Sequence, residues 1–165
     1  VAAAALLLAV LVRGRATPTP PILAVGEIRD LTTSHAVGFG QIVGDLLATS
    51  LAGLATIDVV APSRVLELLP TARSGSRREY LEAARRANAV ELVEGEVSET
   101  ADHQLRLDLR RVRLSTGVVS RGYRFTAPDR WQLVDSVTAA FELDFPRPAT
   151  DVAGPRVAVV RPAPR

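Results

Sequence analysis

Three glycines in the stretch AVGFGQIVGDLL, residues 36–47, have the spacing that comes nearest to a known binding chemistry in this sequence. Gly38, Gly40 and Gly44 lie downstream of the apolar run ILAVGEI, residues 22–28. Glycines that follow a strand in this way can let the backbone N–H groups at a helix N-terminus approach a phosphate. The stretch therefore raises the hypothesis of a nucleotide-binding loop.

The details of the spacing argue against that hypothesis. A dinucleotide fingerprint is G-x-G-x-x-G directly after a strand, whereas this sequence has G-x-G-x-x-x-G beginning ten residues after Ile28. The second candidate strand ends in Ala-Pro at 61–62 instead of an acid, and no lysine is present for a Walker-type loop. We therefore interpret Gly38 and Gly40 as shaping the turn into a helix, and Gly44 as allowing that helix to pack closely on a sheet. No cofactor is predicted.

The other candidate residues give no catalytic or metal-binding pattern. His35 and His103 are far apart and lack the spacing of metal ligands, and the chain has no cysteine. Glu94, Glu96 and Glu99 belong to a strand-like run that alternates with apolar residues, which is typical of a solvated strand face. The sequence therefore predicts that this region is not an enzyme and has no catalytic, cofactor-binding or metal-binding residues.

Composition and charge are those of one globular domain that does not bind nucleic acid. The 165 residues are 47% hydrophobic and 23% charged, and 20 basic residues against 18 acidic ones leave a net charge of only +2. Proteins that bind the phosphate backbone usually have a larger basic excess, and aromatic residues for stacking are only 4%. Because the chain contains no methionine, we expect it to be part of a longer protein.

The apolar and Pro-rich segments predict a membrane-anchored domain with linkers. Residues 1–12 are uninterrupted apolar sequence, too short to span a bilayer, and are either the end of a transmembrane helix or part of a signal segment. A Pro-rich linker is expected at 13–21, a folded domain at 22–146, and a second Pro-rich linker at 147–165. We expect the domain to be extracytoplasmic, although charges on one flank alone leave the orientation open.

Between the linkers, strand and helix patterns alternate in the order β-α-β-α-α-β-β-β-α. Apolar residues spaced by three and four predict a helix over 39–54. Ser63 is expected to cap a short helix, and Ser76 with Glu79 forms the capping box of the next one. The fold class is therefore α/β, with a mixed sheet of about five strands and helices packed on it.

Two later segments give more specific expectations. Leu105, Leu107 and Leu109 share one strand face, but the apolar residues after the arginine pair 110–111 fall on the opposite parity. We expect a bulge at the pair, which would restore one buried face and leave both arginines at a solvated kink. A last helix opens at 128–129. Its buried stripe is expected to comprise Trp131, Val134, Val137 and Phe141.

The order of these segments also resembles a known bacterial family. The helix pattern F-x-x-x-L-x-x-x-L-x-x-x-L, the strand end VVAPS, the strand ELVEGEV with Gly95, and the hairpin STGVVSRGY follow one another over about residues 22–145. The residues in the helix pattern are Phe39, Val43, Leu47 and Leu51. Together they resemble the TolB amino-terminal-like domain, related to FlgO-type domains, of bacterial signalling proteins.

The resemblance implies a setting for the domain. Such domains typically follow a membrane helix, downstream of a Ser/Thr kinase or another output domain and ahead of tetratricopeptide repeats. Our leading hypothesis is a non-enzymatic sensory or protein-interaction domain of a membrane-anchored signalling protein, with a protein partner and an unknown small-molecule ligand. The alternative is an envelope transport or assembly component that docks a periplasmic or outer-membrane partner. An enzyme or nucleotide-binding domain is the third hypothesis.

Overall fold

The computed structural model describes three stretches of the chain. They are residues 19–33, 37–70 and 76–147. The apolar segment 1–12 and most of the two Pro-rich linkers lie outside the described residues.

Within these stretches, nine elements follow one another in the order expected from the sequence. They are β1 (Ile22–Asp30), α1 (Phe39–Ala52), β2 (Asp58–Val60), α2 (Pro62–Glu67), α3 (Arg77–Arg86), β3 (Glu91–Glu99), β4 (Leu105–Arg113), β5 (Val119–Ala127) and α4 (Arg130–Asp144). None of the helices within the described stretches is long and apolar enough to cross a membrane.

The strands form one five-stranded mixed sheet, which confirms the predicted fold class. Their order is β2-β1-β3-β4-β5. Strand β1 is parallel to both of its neighbours, whereas β4 is antiparallel to both β3 and β5. The antiparallel connections are short turns in which His103 and Gly117 adopt positive φ angles of 56° and 71°. The helical crossovers before and after β2 account for the parallel half of the sheet, because parallel strands need long connections.

The two faces of the sheet are covered unequally. Helices α1 and α4 pack on one face, where Leu23, Val93, Leu107 and Phe141 belong to the larger hydrophobic core. Helices α2 and α3 pack on the other face, over Ala24 of β1 and its neighbour β3, and form a smaller core. On this second face, β4 and β5 extend beyond the two helices. We call the first face the covered face and the second the open face.

The N-terminal cap predicted from the sequence is confirmed at α3 but not at α2. Ser76 and Glu79 make both hydrogen bonds of the predicted capping box. At α2 the N-cap is Ala61, and Pro62 takes the first helical position, so the prediction that Ser63 caps this helix is wrong. Proline has no N–H to lose and a φ already suited to a helix, and it therefore starts the helix two residues earlier.

The predicted bulge in β4 is also wrong in its position. Strand β4 pairs with β3 without interruption, and the register shifts only against β5, where Ser120 is the additional residue. The alternation along β4 is therefore not reset. As a result Leu114 packs in the smaller core of the open face, whereas Arg111 stays on the covered face with Leu109.

Helix α4 lies on the covered face, held by the stripe that ends at Phe141. Asp129 caps it by accepting from the backbone N–H of Trp131 at 2.8 Å. The stripe runs with a spacing of four from Phe141 through Val137 to Leu133, all of them fully buried. This geometry rotates Trp131 out of the core, where it is 56% exposed, so the prediction that Trp131 is buried is wrong.

Candidate docking surface

The glycine segment is placed where β1 meets the start of α1. Gly38 is the N-cap of α1 with a φ of +89°, a conformation that favours glycine. A Cβ on Gly40 would lie 2.1 Å from the carbonyl oxygen of Ile28, whereas one on Gly44 would be in ordinary contact, 3.5 Å from the Ile28 side chain. The close approach that we predicted at Gly44 is therefore found at Gly40.

A carboxylate of the chain occupies the N-terminus of α1. Asp30, the last residue of β1, accepts from the backbone N–H groups of Phe39 and Gly40. It also accepts from Thr32, from the hydroxyl at 2.6 Å and from the N–H at 2.9 Å. The Thr32 hydroxyl contributes most to lowering the pKa of Asp30, and the backbone donors add to it. Since a phosphate would need these same N–H groups, the arrangement argues against a nucleotide loop.

The histidines and glutamates named from the sequence do not form one common site in the described stretches. His35 lies outside the described residues, and the ring Nδ1 of His103 lies 3.2 Å from the carboxylate of Glu99 in the β3–β4 turn. Within the described stretches, no three histidine, aspartate or glutamate side chains are grouped to hold a metal ion.

The open face of β3, β4 and β5 carries a ladder of charges. Glu96 and Asp108 lie directly opposite each other across β3 and β4. Like charges in that relation destabilise a sheet, but Arg29 donates to Glu96 and Arg124 donates to Asp108, each at 2.7 Å. Four strands thus present the sequence arginine, glutamate, aspartate, arginine in one row.

Asp108 is held in its charged form by two arginines. Arg106 on the same strand donates to it at 2.6 Å, and Arg124 donates from β5. Burial alone would raise the pKa of Asp108, but the hydrogen bonds from Arg106 and Arg124 outweigh that effect and hold the pKa below its usual value. The two guanidinium groups are in turn fixed in position while 38% and 67% of their side chains remain exposed.

A second row of charged residues lies closer to α3, and its carboxylate is buried. Oε1 of Glu94 accepts from Arg77 of α3 at 2.9 Å and from Arg110 of β4 at 2.8 Å. Glu94 is only 8% exposed, so the interpretation of this residue as part of a solvated strand face is wrong. Its burial results from the two arginines and the cover of α3, which the alternation along β3 does not reveal.

The two rows together form a positively charged surface, which we call the charged face. Five arginines surround three carboxylates and leave an excess of two positive charges. The members are Arg29, Arg77, Glu94, Glu96, Arg106, Asp108, Arg110 and Arg124. Part of this surface borders a shallow groove of about 500 Å³, where Gly122 leaves space between Arg110 and Arg124.

On the covered face, Arg111 is the centre of a buried polar cluster. Its guanidinium donates to Glu91 at 2.6 Å, to Asp144 at 2.8 Å and to the hydroxyl of Tyr123 at 3.0 Å, and lies 4.4 Å from the ring centre of Phe145. The side chain is only 12% exposed, so the prediction of a solvated arginine pair holds for Arg110 and is wrong for Arg111. Because each partner is satisfied, the cluster anchors the end of α4 and offers no free group for chemistry.

With this geometry in view, solved structures show what the chain is similar to. No protein-family model matches it, and no curated protein matches it. The chain shares the fold of the LpoB C-terminal domain. The Salmonella enterica domain has a TM-score of 0.55 at 14% identity, and the Escherichia coli domain has 0.53 at 15% identity. Each match covers 74% of this chain and 93% of the other.

TolB itself is also among the structural neighbours. TolB from Acinetobacter baumannii matches with a TM-score of 0.48 and 12% identity, over 75% of this chain and 28% of TolB. At these identities the likeness to the LpoB domain concerns the fold alone, and no residue role is transferred from it.

Proposed function

We propose that this domain is a non-enzymatic protein-docking module of an envelope assembly or transport component, and that the charged face binds its partner. The observation that carries the proposal is the uncovered part of the open face, where arginines held by carboxylates surround a groove. The fold shared with the LpoB C-terminal domain supports the envelope hypothesis better than the signalling hypothesis. Association with a kinase or with tetratricopeptide repeats stays a prediction.

The chemistry of the charged face favours an acidic protein partner. Each arginine uses only part of its five N–H donors on the carboxylates of the face, and Arg29 and Arg124 are 58% and 67% exposed. Because Glu96 and Asp108 already hold these guanidinium groups, less side-chain freedom is lost when a partner carboxylate binds. Arginine is also enriched in protein interfaces and among the residues that dominate their binding energy.

Binding through this face, without catalysis, agrees with how its carboxylates are engaged. A general acid or base needs a group that is free to exchange a proton with a substrate. Glu94, Glu96 and Asp108 each accept from at least one arginine, and the pKa of Asp108 is lowered rather than raised. We therefore propose that the domain is not an enzyme. As part of the envelope hypothesis, we also propose that it acts outside the cytoplasm.

Cross-linking tests the proposal. The chain carrying Arg29→Gln and Arg124→Gln should lose one defined partner that the unchanged chain cross-links in the envelope fraction of its source cells. The control, Arg78→Gln with Arg86→Gln, removes the same charge from exposed positions on α3 and should keep that partner. Raising the salt concentration should weaken the wild-type complex, since exposed charges are screened. Equal capture by both variants would contradict the assignment to the charged face.

A further inference from the structure

A separate cavity of about 580 Å³ lies at the carboxyl end of β1. Its walls come from the last residues of β1, the first turns of α1, α2 and the side chain of Tyr80 on α3. The β1–α1–β2 crossover lies on the covered face, whereas the β2–α2–α3–β3 crossover lies on the open face. Ligands of open α/β sheets bind at this kind of switch point, outside the carboxyl ends of the strands.

The hydroxyl of Tyr80 faces this cavity. Tyr80 is only 9% exposed, and its hydroxyl has no hydrogen-bond partner among the residues that the structure describes. Burial, together with the negative charge of Glu27, raises the pKa of Tyr80, so the phenol remains protonated at neutral pH. The hydroxyl oxygen itself is accessible from the cavity, so Tyr80 offers an unused donor and acceptor to a ligand there.

The charged groups at the cavity indicate the sign of the charge that a ligand would carry. Two carboxylates line it, those of Glu27 and Asp30, against a single guanidinium, that of Arg29. Arg29 is bound to Glu96, and Asp30 accepts hydrogen bonds from the N-terminus of α1. Glu27 is exposed and has no ion pair or hydrogen bond within the described part of the chain. Arg77 and Arg110 border Glu27 and Tyr80 from an adjoining pocket, but both are bound to Glu94, so Glu27 is the carboxylate that remains available to a cation.

The rest of the lining is apolar. Ile28, Pro62 and Leu66 contribute carbon surface, and Leu31 at the rim is 52% exposed. A cavity of this size accommodates a small organic molecule. We propose that the cavity binds a small organic cation, with its ammonium or guanidinium group on Glu27 and the Tyr80 hydroxyl and its apolar body against Ile28 and Leu66. This site goes beyond the proposed docking function and does not depend on it.

Titration of the 165-residue chain with matched probes tests the proposal by NMR. Phenethylamine should produce saturable shifts of backbone amide signals from residues 26–31 and around Tyr80 at millimolar concentrations. The isosteric anion 3-phenylpropanoate should not, because it lacks the positive charge. Equal shifts with both probes, or no saturable shift with phenethylamine, would overturn the proposal. Binding only of a peptide that contains arginine would also overturn it as a small-molecule site.

Three variants connect the binding to the named groups. Glu27→Gln should weaken phenethylamine binding by about tenfold, as expected for the loss of a charge-assisted hydrogen bond. Tyr80→Phe keeps the packing of the ring and should weaken binding by a smaller factor. Glu142→Gln removes an equal charge from an exposed position on α4 and should leave the affinity unchanged. Unchanged affinity in both Glu27→Gln and Tyr80→Phe would show that the cation binds elsewhere.

Discussion

Arg111 on β4 and Asp144 at the end of α4 are 33 residues apart in the sequence, and their side chains meet at 2.8 Å on the covered face of the sheet. Glu91 and Tyr123 bind the same guanidinium, so one arginine joins three strands to the last turn of a helix. Little of the cluster is exposed, with Arg111 at 12% and Asp144 at 9%. The main energetic effect of a buried ion pair appears when one partner is removed, because the other charge is then buried without compensation.

Replacing Arg111 with leucine should therefore destabilise the domain strongly. The change leaves the buried carboxylate of Glu91 without a cation, and it leaves Asp144 with the exposed Arg121, at 3.2 Å, as its remaining cation. Breaking a buried ion pair in this way costs about 3 kcal/mol or more. Urea unfolding followed by circular dichroism measures the loss. The matched control is Arg78→Leu, which removes an arginine that is 87% exposed and should cost less than about 0.5 kcal/mol. Similar losses in the two variants would contradict the structural role of the cluster.

Tyr123 in the same cluster predicts a dependence of stability on alkaline pH. Burial of the phenol and its hydrogen bond to Asp144 raise the pKa of Tyr123 to about 12, from the ordinary value of 10.0. The folded state therefore retains a proton that the unfolded state has lost. The free energy of unfolding should be at its plateau below pH 10 and should fall as the pH rises from 10 to about 12.

Unfolding measured across that pH range in wild type and Tyr123→Phe checks this prediction. The variant lacks the titrating group, so its stability should fall less steeply above pH 10. Phenolate absorbance in the ultraviolet gives a second readout, since Tyr80 is the only tyrosine left in the variant. The same slope in both proteins would show that Tyr123 does not titrate in the way that its surroundings imply.

The sequence predicted the fold well because the deciding signals are local. The capping box of Ser76 and Glu79, the short turns between β3, β4 and β5, and the apolar spacing from Phe39 to Leu51 each depend on residues a few positions apart. Such patterns specify element types and the hairpin order directly. The mostly apolar run at residues 22–28 is likewise a local signal, typical of a strand buried on both faces as most of β1 is.

The charged face and the buried cluster could not be predicted in the same way. Alternation along β4 places Arg111 on the same face as Leu109, but only the distant Asp144 makes its burial tolerable. Whether Glu94 is solvated depends on α3 lying above it and on Arg110 beside it. The alternation along a strand therefore predicts on which face of the sheet a polar side chain lies. Whether that side chain is exposed depends on elements that are distant in the sequence.

Gly40 and Gly44 are two glycines of one helix for which the structure predicts opposite effects of the same substitution. A Cβ at Gly40 would collide with the backbone carbonyl of Ile28 at 2.1 Å, so Gly40→Ala must shift α1 away from β1. Overpacking of this kind typically costs about 1 to 3 kcal/mol. A Cβ at Gly44 would be 3.5 Å from the Ile28 side chain, an ordinary contact, and alanine favours a helix by up to about 1 kcal/mol over glycine. Thermal melts should therefore show a lower Tm for Gly40→Ala and an equal or higher Tm for Gly44→Ala; the reverse order would show that α1 does not meet β1 at Gly40.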